Sequence, residues 1–336
     1  MRTFIFTCVA LLASVTANGL SITRAEKNTT LSARLVTQFP NETWIENLSI
    51  RENGQLLVTA LTAPELFQVY PFHTNSSATL VQRIPGATSL TGIVELQKDV
   101  FYVIAGNFSV QTFKSTNGSY SVWKVDMSKT NVMHGVVAPP PIASKVADIP
   151  EGVFLNGMAV LNRAKGLVLV GDVGGGTVFT LNVGTGKYSK TIQDTTMAPA
   201  GQLGLGINGM KIRGKYLYYG TTGQLIFCRI PINMADGTPA GKAEVIAKNV
   251  FVDDFSFDDK GNAFAAQNVQ DTVAKIAPNG IVTVVAGSLN STLVAGATAT
   301  EFGKTRKDRS VLYVTTSGGI GSPVQIEGGK VVALCS

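Results

Sequence analysis

Short runs of alternating apolar and polar residues recur along the chain. Each is followed by a polar turn and a second, more apolar run. FLNGMAVLNRAKGLVLVGD (Phe154–Asp172) and GINGMKIRGKYLYYGTT (Gly206–Thr222) share this layout. So do IENLSIRENGQLLVTAL around Glu46, LTGIVELQKDVFYVIAG around Thr91 and VDDFSFDDKGNAFAAQN around Asp253. LVAGATATEFGKTRKDRSVLYVTTSG, near Ala295, is a looser sixth copy. Alternation with period two marks strands with one face buried. Further short strands such as SYSVWKVD, TVFTLNV, QLIFCRI and DTVAKIA follow within the copies.

Superimposing the copies aligns Glu46, Thr91, Asn156, Asn208, Asp253 and Ala295, at steps of 45, 65, 52, 45 and 42 residues. Strand-rich repeats of roughly 40 to 50 residues without helical periodicity predict propeller blades. The expected fold is therefore all-β, a six-bladed β-propeller forming a single domain over residues 18–336. A pair of β-sandwiches would not generate the aligned column. The long second step is ascribed to VMHGVVAPPPIASK, read as a Pro-rich inter-blade loop, and GKVVALC is expected to be a closing strand.

Composition adds the compartment. An apolar run from Phe4 to Ala13 follows Arg2, with small residues near Ala17, so residues 1–17 read as a secretory signal peptide. The chain is expected to be secreted or to reside in the lumen of the secretory pathway, with no membrane span. The N-x-[ST] triplets at Asn28, Asn41, Asn75, Asn107, Asn117 and Asn290 are candidate glycosylation sites. A seventh, at Asn47, adjoins Glu46 and is expected to stay bare if Glu46 faces a channel. The formal charge is +6, or +5 once Arg2 leaves with the leader, and the basic residues are scattered. Nucleic acid is thus not an expected partner. Cys228 and Cys335 can pair in an oxidising compartment, although their positions suit buried thiols equally well.

GLGINGM (Gly204–Met210) fits the spacing of a dinucleotide fingerprint, but strands follow it instead of a helix and the required acidic residue is missing. No nucleotide cofactor is expected. The aligned column carries more chemistry, because the first strand of each blade lines the central channel and one position per blade forms a ring at its mouth. Glu46, Asn156, Asn208 and Asp253 offer oxygen and two formal negative charges, as a hard divalent cation such as Ca²⁺ requires. Apolar walls for a small-molecule substrate are expected beside the ring. Residues just before the column give Trp44, Phe154 and Phe251; those ending each second strand give Leu61, Asp172, Thr221, Gln267, Asn268 and Ser317.

The column resembles the metal ring of SMP-30/gluconolactonase and paraoxonase-like propellers, in which Glu, Asn, Asn and Asp come from corresponding blades. That resemblance implies a Ca²⁺-dependent lactonase or esterase, but the histidine pair of the paraoxonase-like members is missing. His73 and His134 lie away from the column, so Glu46 or Asp253 would have to activate water. The leader, FPNETWIENLSIRENGQLLVTALTAPELFQV and the NGM blade starts are similar to a fungal secreted subgroup that includes the hetero-Diels–Alderases of tropolone–sesquiterpene biosynthesis. This likeness implies that the enzyme joins a tropolone-type ortho-quinone methide to a humulene-type polyene. Glu46 or Asp253 would then serve as acid–base in forming the quinone methide. A non-catalytic binding propeller is the third expectation.

Overall fold

The structure is a computed structural model that describes residues 30–72, 76–289, 291–322, 324 and 326–335. The signal-peptide expectation, Asn28, Asn75, Asn290 and His73 lie outside the described residues. Six four-stranded antiparallel sheets form the expected six-bladed all-β propeller, with no α-helix among the described residues.

In chain order, the innermost strands are Ile45–Ile50, Ser89–Gln97, Leu155–Asn162, Ile207–Arg213, Phe255–Phe257 and Ala297–Phe302. Ile45–Ile50 is buried at every residue, and so are the second strands Leu56–Ala60, Val100–Gly106, Ala263–Gln267 and Leu312–Thr316. The outermost strands are more exposed: in Tyr188–Gln193 only Ile192 is buried. Apolar side chains fill the spaces between blades. Leu169 and Val178 of blade 3, for example, pack with Ile207, Met210 and Tyr219 of blade 4. Burying each such side chain contributes about 1.5–3 kcal/mol.

Gly328–Cys335 closes the ring as expected, and the N-terminal strand Ser32–Asn41 pairs with it as the outermost strand of blade 6. The Pro-rich segment is not inter-blade. It lies within blade 2, where a small hairpin (Asn131–Met133 with Val136–Ala138) joins the third and fourth strands. Cys228 and Cys335 are both free thiols.

The ring position has a backbone cause. In blade 1 the pairing of the first two strands runs from Ile45–Ala60 to Asn47–Thr59, leaving Glu46 as the extra residue of a β-bulge. The same one-residue excess falls at Asn156-Gly157, Asn208-Gly209 and Thr91-Gly92. In blade 5 two residues oppose one: Asp253 N donates to Ala266 O, and Ala266 N donates to Asp254 O, both at 2.9 Å. A bulge breaks the regular alternation and re-aims the side chain it carries. In blade 6 the bulge falls at Thr298, not at Ala295. Thr298 Oγ1 donates to Ile45 O at 2.7 Å, just as Thr91 Oγ1 donates to Leu155 O at 2.9 Å. The sixth member of the column is therefore Thr298, and the two threonines tie adjacent blades together.

Candidate active site

The four polar residues of the column do meet. Asn156 Nδ2 donates to Glu46 Oε1 at 2.7 Å and to Asn208 Oδ1 at 3.0 Å, and Asn208 Nδ2 donates to Asp253 Oδ1 at 2.8 Å. Asn208 also donates to Thr222 Oγ1 at 3.2 Å. Relative exposures of 4%, 4%, 6% and 7% for Glu46, Asn156, Asn208 and Asp253 put the whole chain of groups out of bulk water. Trp44 extends it at one end, its Nε1 donating to Glu46 Oε2 at 2.5 Å.

Burial dominates the electrostatics. It pushes the Glu46 carboxyl up to about 7, against the opposing pull of hydrogen bonds from Asn156 and Trp44. It raises Asp253 as well, helped by the nearby carboxylates of Glu46 and Asp254. One layer further along the channel, Asp254 accepts from Asn47 Nδ2 at 2.9 Å and from Lys211 Nζ at 3.1 Å. Burial alone would lower the Lys211 ammonium, but Asp254 and Glu301 outweigh it and hold the pKa above its ordinary value. Asn47 is buried, and the nitrogen to which a glycan would attach is engaged by Asp254. Asn41 and Asn117 are exposed, while Asn107 is half-buried with its Oδ1 enclosed.

The donor set suits a hard cation: two carboxylates and two amides, with neither sulfur nor imidazole. Asn156 Oδ1 is moreover buried without a hydrogen-bond partner, an acceptor that an ion or ligand would satisfy. Among the described residues no three His, Cys, Asp or Glu side chains are grouped to hold a metal by themselves, so the amide oxygens are essential to any such site.

The expected wall residues divide. Trp44 belongs to an apolar cluster with Leu61 and Ile320, against which Phe108 and Val110 pack. Phe154 stacks on Phe108 with centroids 4.9 Å apart. Phe251 is buried, and its carbonyl accepts from Gln267 Nε2 at 3.0 Å. The second-strand ends instead fasten loops. Asp172 accepts from the amides of Val153, Phe154 and Gly175, and Thr221 Oγ1 donates to Thr196 O at 2.6 Å. Gln267 additionally accepts from Thr272, Asn268 donates to Gly296 O, and Ser317 donates to Ile320 O. These groups shape the mouth by holding its loops. His134 is exposed on the blade 2 hairpin, far in the chain topology from the column.

Sequence reasoning did not single out Phe108, Phe113, Tyr120 or Ile320. Tyr120 is fully buried behind Phe154, its hydroxyl without a partner. The available signal was the unusual length of the segment carrying Phe108 to Tyr120, which the Pro-rich stretch obscured.

The chain folds as a six-bladed propeller with Glu46, Asn156, Asn208 and Asp253 around one end of its channel. Its fold is similar to the calcium-binding protein regucalcin of Agrobacterium tumefaciens, at a TM-score of 0.62 and 15% identity over 90% of this chain and 93% of that one. It is also similar to a luciferin-regenerating enzyme, at a TM-score of 0.63 and 13% identity over 91% and 95%. No family model matches the sequence. A Phoma sp. protein named as a hetero-Diels–Alderase is 30% identical over 314 residues, 85% of this chain and 86% of the relative. A Sarocladium schorii protein named likewise is 26% identical over 325 residues, 85% and 78%. The chain belongs to this hetero-Diels–Alderase family.

Proposed function

We propose that the protein is a hetero-Diels–Alderase of the secretory pathway that joins a tropolone-type ortho-quinone methide to a terpene polyene. The observation that carries the reading is the Trp44–Glu46 pair, a polar group of the ring bonded directly to a residue of the aromatic mouth. Such a cycloaddition needs two reactants held in a near-attack pose, which can remove up to about 7–11 kcal/mol of the barrier. The apolar residues around Trp44 form a wall that keeps water from the quinone methide. The N–H groups of Trp44 and Asn156 that now meet Glu46 are the donors closest to a substrate carbonyl brought to that end. Glu46 is favoured over Asp253 as the catalytic carboxyl, since Asp253 bonds to Asn208 at the other end of the chain of groups.

Glu46, Asn156, Asn208 and Asp253 would hold Ca²⁺, which when bound would polarise a carbonyl oxygen. The same oxygen set, with Asn156 Oδ1 left open, supports a second reading as a Ca²⁺-dependent lactonase or esterase. Two assays separate the readings. Glu46→Gln should lower kcat/KM for cycloaddition by about 10²-fold, the scale of removing one preorganised polar group, and Asp253→Asn should lower it much less. Wild-type cycloaddition in Glu46→Gln would contradict the proposal. Chelator-sensitive lactone hydrolysis, lost in both variants together with one bound calcium per chain, would favour the second reading.

A further inference from the structure

The connections between second and third strands lie on the ring side of the propeller, and their lengths differ sharply. Blades 1, 3, 4 and 5 each use four residues: 61–64, 173–176, 222–225 and 268–271. Blade 2 uses 14 (107–120) and blade 6 uses 11 (317–327). Four short examples show what the scaffold requires, so the two long ones are additions to it. They belong to the two blades that flank blade 1, which carries Trp44 and Glu46.

Both additions reach the same place. The blade 2 segment folds as a hairpin, Phe108–Ser109 paired with Lys114–Ser115. At its bend Phe113 has a left-handed backbone (φ +53°), remains 45% exposed, and meets Trp44 edge to face with centroids 6.2 Å apart. The Phe113 ring comes within 3.8 Å of the point where a Cβ would stand on Gly321 of the blade 6 segment. Ile320, beside it, packs in the cluster of Trp44 and Leu61 with Phe108 and Val110 against it. Together the segments meet over Trp44, the side chain that donates to Glu46.

A bulky residue in the left-handed region is uncommon, and such positions cluster at ligand clamps and switch regions. The partners of Phe113 are aromatic: Trp44, Phe108 and, through Phe108, Phe154. We propose that Phe108–Ser115 of blade 2 and Ser317–Ser322 of blade 6 form a paired gate that opens to admit a flat, conjugated ring and closes its aromatic underside on it, with Phe113 as a specificity-determining residue. This deepens the cycloaddition reading by assigning the quinone-methide partner to the Trp44–Phe113 side, and rests on that reading for the substrate's identity.

Trp44 itself is the reporter. The chain has two tryptophans, and replacing Trp123 by Phe leaves Trp44 alone. Tropolone serves as the flat probe, with 2-hydroxycycloheptanone as a saturated control carrying the same oxygens. Tropolone should quench Trp44 saturably. Phe113→Ala, at an exposed position, and Ile320→Ala, on the opposite segment, should each weaken it about three- to tenfold with unchanged circular dichroism. The saturated control should bind at least tenfold more weakly. Equal affinity for the two probes, no saturable quenching, or wild-type affinity in both variants would overturn the gate. Binding as expected without cycloaddition would refute the reaction and leave the gate standing. Cycloaddition with wild-type tropolone affinity in both variants would do the reverse.

Discussion

Asp271 shows how a buried carboxyl outside the ring contributes to the pH response of this propeller. It occupies a left-handed turn (φ +53°) in blade 5, with Oδ1 accepting from Gly296 N at 2.7 Å and Oδ2 enclosed without a partner. Burial raises its pKa to about 6 from an ordinary 3.8, opposed by hydrogen bonding from the Gly296 amide. A raised carboxyl pKa favours the neutral folded form, so stability from this group is present below about pH 4 and is lost as the pH rises through 6. The loss amounts to at most about 3 kcal/mol. Asn retains the acceptor, carries no charge and tolerates the left-handed region. Asp271→Asn should therefore melt above the wild type at pH 7.5 and level with it at pH 4. An equal gain at both values would exclude ionisation as the cause. At this scale the ring was legible: Glu46, Asn156, Asn208 and Asp253 stood in one column because a period repeats them. Their bonds to one another were not, because they cross between blades 45 to 110 residues apart in sequence.

The bulged first strand explains the Asn-Gly dipeptides that opened two blades. Asn before Gly reads most simply as turn chemistry, yet neither glycine here is in a turn. A Cβ on Gly157 would stand 2.2 Å from Asn208 O, and one on Gly92 would stand 2.0 Å from Asn156 O. The glycines allow each inner strand to pass against the next bulge, and Gly209 N also donates across blades to Asp253 O at 2.7 Å. Because backbone, not a flexible side chain, opposes the new methyl group, Gly157→Ala should destabilise by about 2 kcal/mol or more and shift Asn208. A thermal melt measures the first effect. An unchanged melting temperature would mean that blades 3 and 4 can separate at no cost. The same reasoning shows why Ala295 was the wrong anchor in blade 6. Its first strand, ATATEF, carries alternating small residues, and only the pairing with Leu312–Thr316 places the bulge at Thr298. The wall assignments at Asp172, Thr221 and Gln267 had a similar weakness. Strand ends locate them at the mouth, but which backbone groups they fasten depends on loops whose course the pattern does not encode.

Over the whole molecule, the blade count followed from the repeat, since six similar units must each bury a strand face on their neighbours. Ring closure was half visible. GKVVALC was recognisable as a strand, whereas its partner Ser32–Asn41 is about 300 residues away and precedes the first repeat. The paired gate was the least visible feature, because it arises from connection lengths that only have meaning once blades 2 and 6 are seen on either side of blade 1. The proposed function makes the propeller a rigid frame and assigns the chemistry to the place where Trp44 joins the polar ring to the aromatic mouth. The most direct test is the stereochemical outcome with purified protein, a hydroxymethyl-tropolone precursor of the quinone methide, and humulene. The account predicts one cycloadduct stereoisomer in clear excess over the protein-free mixture, and loss of that excess in Glu46→Gln. A product distribution identical to the protein-free mixture, obtained with folded protein, would contradict it.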